Sequence, residues 1–135
     1  MHEKVTPRTR ERRLVSWVTA INVLIATGFS VVGLIHPESI LPPKSVPTAG
    51  SSVFAMYAAA RTLPLTLLVL VAIHERWEHA LLVLGVLAGA IQLSDFVVGI
   101  VHHDPGKAVG PLVIATLQFY ALFALHGSIR GGESA

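Results

Sequence analysis

Charge and apolarity are segregated along this chain. Four runs are almost free of charge: 14–35 "LVSWVTAINVLIATGFSVVGLI", 52–73 "SVFAMYAAARTLPLTLLVLVAI", 80–101 "ALLVLGVLAGAIQLSDFVVGIV" and 111–129 "PLVIATLQFYALFALHGSI". About 20 helical residues cross a hydrocarbon core roughly 30 Å thick, and each run is of about that length. The fourth opens on a proline, whose missing N–H costs nothing at a helix start. The expected fold class is therefore all-α, an integral membrane four-helix up-and-down bundle. The basic segment 1–13 is expected as an N-terminal tail, and residues 130–135 as a disordered C-terminal tail.

Composition supports this reading. Of 135 residues, 53% are hydrophobic and 13% charged, about half the charged share of an ordinary soluble domain. There is no cysteine, so disulfides and thiolate chemistry are excluded. The net charge is +2, yet five of the ten Lys/Arg are Lys4, Arg8, Arg10, Arg12 and Arg13. A basic cluster before an apolar run is a topology signal rather than a nucleic-acid footprint. A signal peptide would carry an apolar core of about 7–15 residues and a small-residue cleavage site. The first run is longer and lacks that site before His36, so it is expected to stay as an anchor.

The loops set the orientation. With the N-terminus inside, the inner side holds the five N-terminal charges, Arg76 and Arg130, seven in all, and the outer side only Lys44 and Lys107. The positive-inside rule then places both termini in the cytoplasm, with the protein in the cell membrane. Residues 36–50 hold four of the eight prolines and are expected to be extended or turn-like. The short "HERWEH" makes the second and third helices an antiparallel hairpin.

Against this background the polar residues stand out. Arg at a helix centre costs about 2.5–3.5 kcal/mol on the insertion scale, so Arg61 offsets much of what its helix gains. Asp95 lies at similar depth on the next helix, and an Arg61–Asp95 ion pair is the expected outcome. Tyr57, Arg61 and Pro64 share one helix stripe, as do Gln92, Asp95 and Gly99. Gln118 and Asn22 fall near mid-depth on the fourth and first helices. Gly85 and Gly89 form a small-xxx-small pair that permits a close helix contact. The helices are thus expected to converge on a small polar core, which is either a structural staple or a binding cavity.

In a catalytic reading Asp95 is the general acid or base and Arg61 orients it or holds an anion. Tyr57, Gln92, Gln118 and Asn22 are then candidate substrate-binding residues. Isomerisation, cyclisation or epoxide opening suits a carboxylate working without a cofactor. No cofactor and no metal are expected. His74 and His79 are five apart, one too many for H-E-x-x-H. His36, His102, His103 and Asp104 have ligand chemistry, but loop histidines are more often plain interfacial residues.

The patterns "YAAARTLPLTLLVL" and "IQLSDFVVGIVHHDPGKAVGPLVIATLQFYALFAL" resemble the small DoxX-like four-helix membrane proteins of bacteria, within them an uncharacterised actinobacterial branch. The resemblance covers roughly residues 52–126 and rests most on Arg61, Asp95 and the following Asp-Pro-Gly. It implies a four-helix membrane fold, with quinol-linked oxidation in some members. The absence of cysteine and of a mid-membrane histidine speaks against a redox role here.

Two functions follow as expectations. In the first, the Arg61–Asp95 cavity binds a lipophilic small molecule, with or without catalysis. In the second, the chain is a non-catalytic subunit or assembly partner of a membrane complex. A proton-coupled transporter is a third, which four helices would build only by oligomerising. Candidate partners are the lipid bilayer, a lipophilic molecule, a second copy and another membrane protein, and not nucleic acid.

Overall fold

In the computed structural model residues 7–41 and 45–133 are described, with side chains for 9–41 and 45–128. The chain is an all-α four-helix bundle: α1 Pro7–Ile35, α2 Ala49–His74, α3 Glu78–Val101 and α4 Pro105–Glu133. A short 3-10 turn, Pro37–Ser39, follows α1. All four helices are long and apolar enough to cross a membrane, and the protein is a multi-pass membrane protein.

Each helix begins before its apolar run. Helix α1 is helical from Pro7, so residues 7–13 are not an irregular tail. The arginines and Glu11 there are good helix formers, and hydrogen bonding continues where apolarity stops. Thr48 caps α2: its hydroxyl accepts from the Ser51 N–H at 3.2 Å, while the Ser51 hydroxyl accepts from the Thr48 N–H at 2.8 Å. This reciprocal box satisfies two orphan donors and moves the start from 52 to 49. Helix α4 starts at Pro105, not Pro111. Asp104 accepts from the Lys107 N–H at 3.2 Å, and Pro105 occupies the first position, where its fixed φ suits a helix. At the other end α4 continues to Glu133, so residues 130–133 are helical rather than disordered. Residues 134–135 lie outside the described residues.

The two tight turns share one device. Arg76 and His103 have φ of 59° and 53°, the left-handed conformation more often given to glycine after a helix. In each case the residue after closes a long hydrogen bond back into the helix, Trp77 N–H to Ala72 O at 2.9 Å and Asp104 N–H to Gly99 O at 3.0 Å. The last carbonyls are thereby satisfied without a loop of any length. Arg12 also donates to Ile73 O at 3.4 Å, tying α1 to the end of α2.

Helix packing is unequal. Helix α3 packs most extensively on α4, and α2 on α1, whereas the consecutive α2 and α3 meet much less. Small residues decide this. Gly85, Gly89 and Gly99 turn their bare backbone toward α4. A Cβ on Gly89 would stand 2.9 Å from the Phe119 ring, and one on Gly99 would stand 2.6 Å from Ala108 N and 2.7 Å from Lys107 O. Pro111 has no N–H to offer Lys107 O, the usual i−4 acceptor, and it is this carbonyl that lies against Gly99. On α2 the buried residues Ala55, Ala59, Thr66, Val69 and Ala72 form the packed stripe. Val23, Val69 and Ala88 join α1, α2 and α3 in a small apolar cluster, and Val15, Leu81, Ala121, Leu122 and Leu125 form another.

Candidate ligand groove and intramembrane polar residues

The polar residues sort into two groups. Asn22, Gln92 and Gln118 are buried, at 1%, 4% and 0% exposure. Gln92 Nε2 donates to Asn22 Oδ1 at 2.7 Å, Asn22 Nδ2 donates to Gln118 Oε1 at 3.2 Å, and Gln118 Nε2 donates to Thr19 Oγ1 at 2.8 Å. One chain of hydrogen bonds thus crosses α3, α1 and α4. Thr66 adds α2 to the polar core, donating to Val23 O at 3.2 Å and lying 2.7 Å from the Thr27 hydroxyl. Each of these side chains is bonded to at least one other of the group. The cavity beside them, lined by Asn22, Ala26, Thr62, Leu65, Ala88 and Ile91 among others, measures about 10 Å³. That holds at most about one water, so the centre of the bundle is a staple and not a ligand chamber.

Tyr57, Arg61 and Asp95 are the second group, and all three are exposed. Arg61 and Asp95 do not form the expected ion pair: no carboxylate lies within 4.0 Å of Arg61, nor a cation within that distance of Asp95, among the described residues. The reason is the packing just described. Each of α2 and α3 is drawn to a different neighbour, so the seam between them stays open. Sequence spacing nevertheless puts both charges on that seam. Arg61, Leu65, Leu68 and Ala72 recur at i, i+4, i+7 and i+11, one stripe of α2; Leu84, Ala88, Ile91 and Asp95 recur in the same way on α3. Leu65 meets Ala88 and Ile91 around the small cavity. Leu68 and Ala72 face Leu84 across a groove. The two charges head the two facing stripes.

The groove, open and of about 430 Å³, lies on the seam and is lined by Leu68, Val71, Ala72, Trp77, His79, Ala80, Val83 and Leu84. It opens to the lipid-facing surface near the α2–α3 turn, with Trp77 and His79 at its end. Nothing in the sequence marks it, because its walls are ordinary apolar residues and its volume arises from the poor closure of two helices. Among the described residues no three His, Asp or Glu come together as a metal site would need. No family model, no curated protein and no solved structure matches the chain.

Proposed function

We propose that the protein binds a lipophilic small molecule taken directly from the bilayer. The apolar body lies in the α2–α3 groove and its polar end points along the seam toward Arg61 and Asp95. The groove of about 430 Å³ carries this reading, since small-molecule sites are mostly apolar hollows of about 300–1,000 Å³ with few polar groups. Entry through the seam needs no opening of the bundle. Arg61 supplies a donor for an oxygen-rich end and Asp95 an acceptor, and neither has a partner among the described residues. The catalytic form of the proposal gives Asp95 a proton transfer with Arg61 holding the resulting charge. Kinship with the DoxX-like proteins belongs to the same proposal.

The test uses Val83→Trp, which fills the groove from an exposed position where folding tolerates bulk. Lipid extracts of the purified wild type are expected to contain a stoichiometric lipophilic compound by mass spectrometry. The variant should retain it at least tenfold less. A wild type without any such compound, or a variant that keeps it fully, would overturn the proposal.

The seven-to-two distribution of Lys/Arg supports an orientation with both termini in the cytoplasm. A reporter fused at Glu78 should then read cytoplasmic and one at Ser45 should read outside. The reverse pair of signals would invert the topology.

A further inference from the structure

We infer that the α2–α3 face is the contact surface for a second copy of this chain, with each Arg61 paired to the partner's Asp95. Charge is the argument. An unpaired Arg or Asp within a spanning helix is costly, and such residues normally find a counter-charge. Here two residues of opposite sign lie exposed on one face, without a partner among the described residues. They are at comparable depth: Arg61 is 15 residues before the turn residue Arg76 and Asp95 is 19 after it. The difference of four residues is about 6 Å at 1.5 Å each, within reach of an arginine side chain.

The symmetry then follows from geometry. Copies inserted by the same topology signal run the same way through the membrane, so a two-fold axis relating them lies along the membrane normal. Rotation by 180° about an axis through the seam sets α2 of one copy opposite α3 of the other. An isologous contact repeats every interaction, which gives two Arg61–Asp95 pairs for one interface. It also covers Leu68, Val71, Val83 and Leu87, all well exposed in the single chain. The pairs occupy the outer half of the seam and the groove its inner half. The same two charges serve the ligand reading: in the dimer Arg61 and Asp95 pair across the interface, and Leu68, Val71 and Val83 of the groove are covered. A molecule held there would be enclosed between copies, and its polar end would not have these charges to itself.

Two single substitutions test it. Arg61→Asp makes the face wholly acidic and Asp95→Arg makes it wholly basic. If the pairs form between copies, each variant repels itself, while a mixture of the two recreates both pairs. Differently tagged wild-type chains in nanodiscs should co-purify. Each variant with itself should do so at least tenfold less, and the two variants together should recover the wild-type level. Arg61→Met with Asp95→Leu removes all charge from the face, keeps the helices apolar, and should also lose self-association. Wild-type chains that stay monomeric by native mass spectrometry overturn the inference, even if they capture another membrane protein. So does either charge variant self-associating as well as wild type. A mixture of helical, folded variants that fails to recover association overturns it too. Ligand content is read separately from the lipid extract, so failure of the ligand proposal and failure of this one are distinct results.

Discussion

Asn22→Leu is expected to destabilise the bundle by about 2–4 kcal/mol. The side chains match in branching and in number of heavy atoms, although leucine is the bulkier, so the loss is chiefly one of polar contacts with some crowding added. Asn22 is the middle of the chain of hydrogen bonds, and its removal strands both Gln92 Nε2 and Gln118 Oε1. A buried polar group left unmade costs about 1–3 kcal/mol, and both glutamines are too buried to turn to water. An interhelical hydrogen bond in membrane proteins is worth only about 0.6 kcal/mol on average. Thr19→Val removes one such bond and strands a single buried group, Gln118 Nε2, where Asn22→Leu strands two, so it should cost about 1–2 kcal/mol. Unfolding free energies from steric trapping decide the matter. An Asn22→Leu loss no larger than that of Thr19→Val would mean that the network is not a cooperative unit.

Gly99→Val should be at least as damaging, about 3 kcal/mol or more, by a different route. Overpacking a fitted site generally costs about 1–3 kcal/mol, and more where nothing can yield. The atoms that would meet a Cβ here are Ala108 N and the Lys107 carbonyl, at 2.6 and 2.7 Å. They are backbone inside a helix and cannot rotate away, unlike the Phe119 ring that faces Gly89. Helix α3 must therefore lift from α4. Gly28 makes the comparison: a Cβ there meets nothing within 4 Å, so Gly28→Ala should gain about 0.5–1 kcal/mol from helix propensity. Thermal unfolding of the two variants in one detergent should move in opposite directions. A Gly99→Val protein as stable as wild type would show that the close approach is not what holds the helices together.

The four helices could be read from the sequence because a spanning helix announces itself by the length of its apolar run, which needs no knowledge of its neighbours. Helix starts were less legible for the same reason: apolarity ends at the membrane surface and hydrogen bonding does not. The signals were present nonetheless. Asp104–Pro105 is a capping residue followed by the residue best suited to the first helical position, and Thr48 with Ser51 is a capping box written with serine in place of glutamate. The polar staple was half legible. Depth and spacing brought Asn22, Gln92 and Gln118 to one level, but not the direction of each hydrogen bond. Arg61 and Asp95 were placed on adjacent helices, but in the stripe expected to hold Gln92, Asp95 and Gly99 together, Gln92 and Gly99 are buried and Asp95 is exposed. What spacing along two helices cannot give is the distance between them. That distance depends on which neighbour each helix prefers, and the deciding residues, the α3 glycines, name no partner on their own.

The hydrogen-bond chain also has a geometric role that its energy does not express. Apolar helices in lipid slide and rotate against one another at little cost, since one leucine surface resembles the next. A shift by one helical turn is about 5.4 Å, and such a slip of α1 would carry Asn22 out of reach of both glutamines together. A rotation by one residue, about 100°, would do the same. Three side chains on three helices therefore select one axial and rotational alignment from many that van der Waals contact alone would accept. That alignment keeps the bare glycine face of α3 against α4 and leaves the α2–α3 seam facing outward.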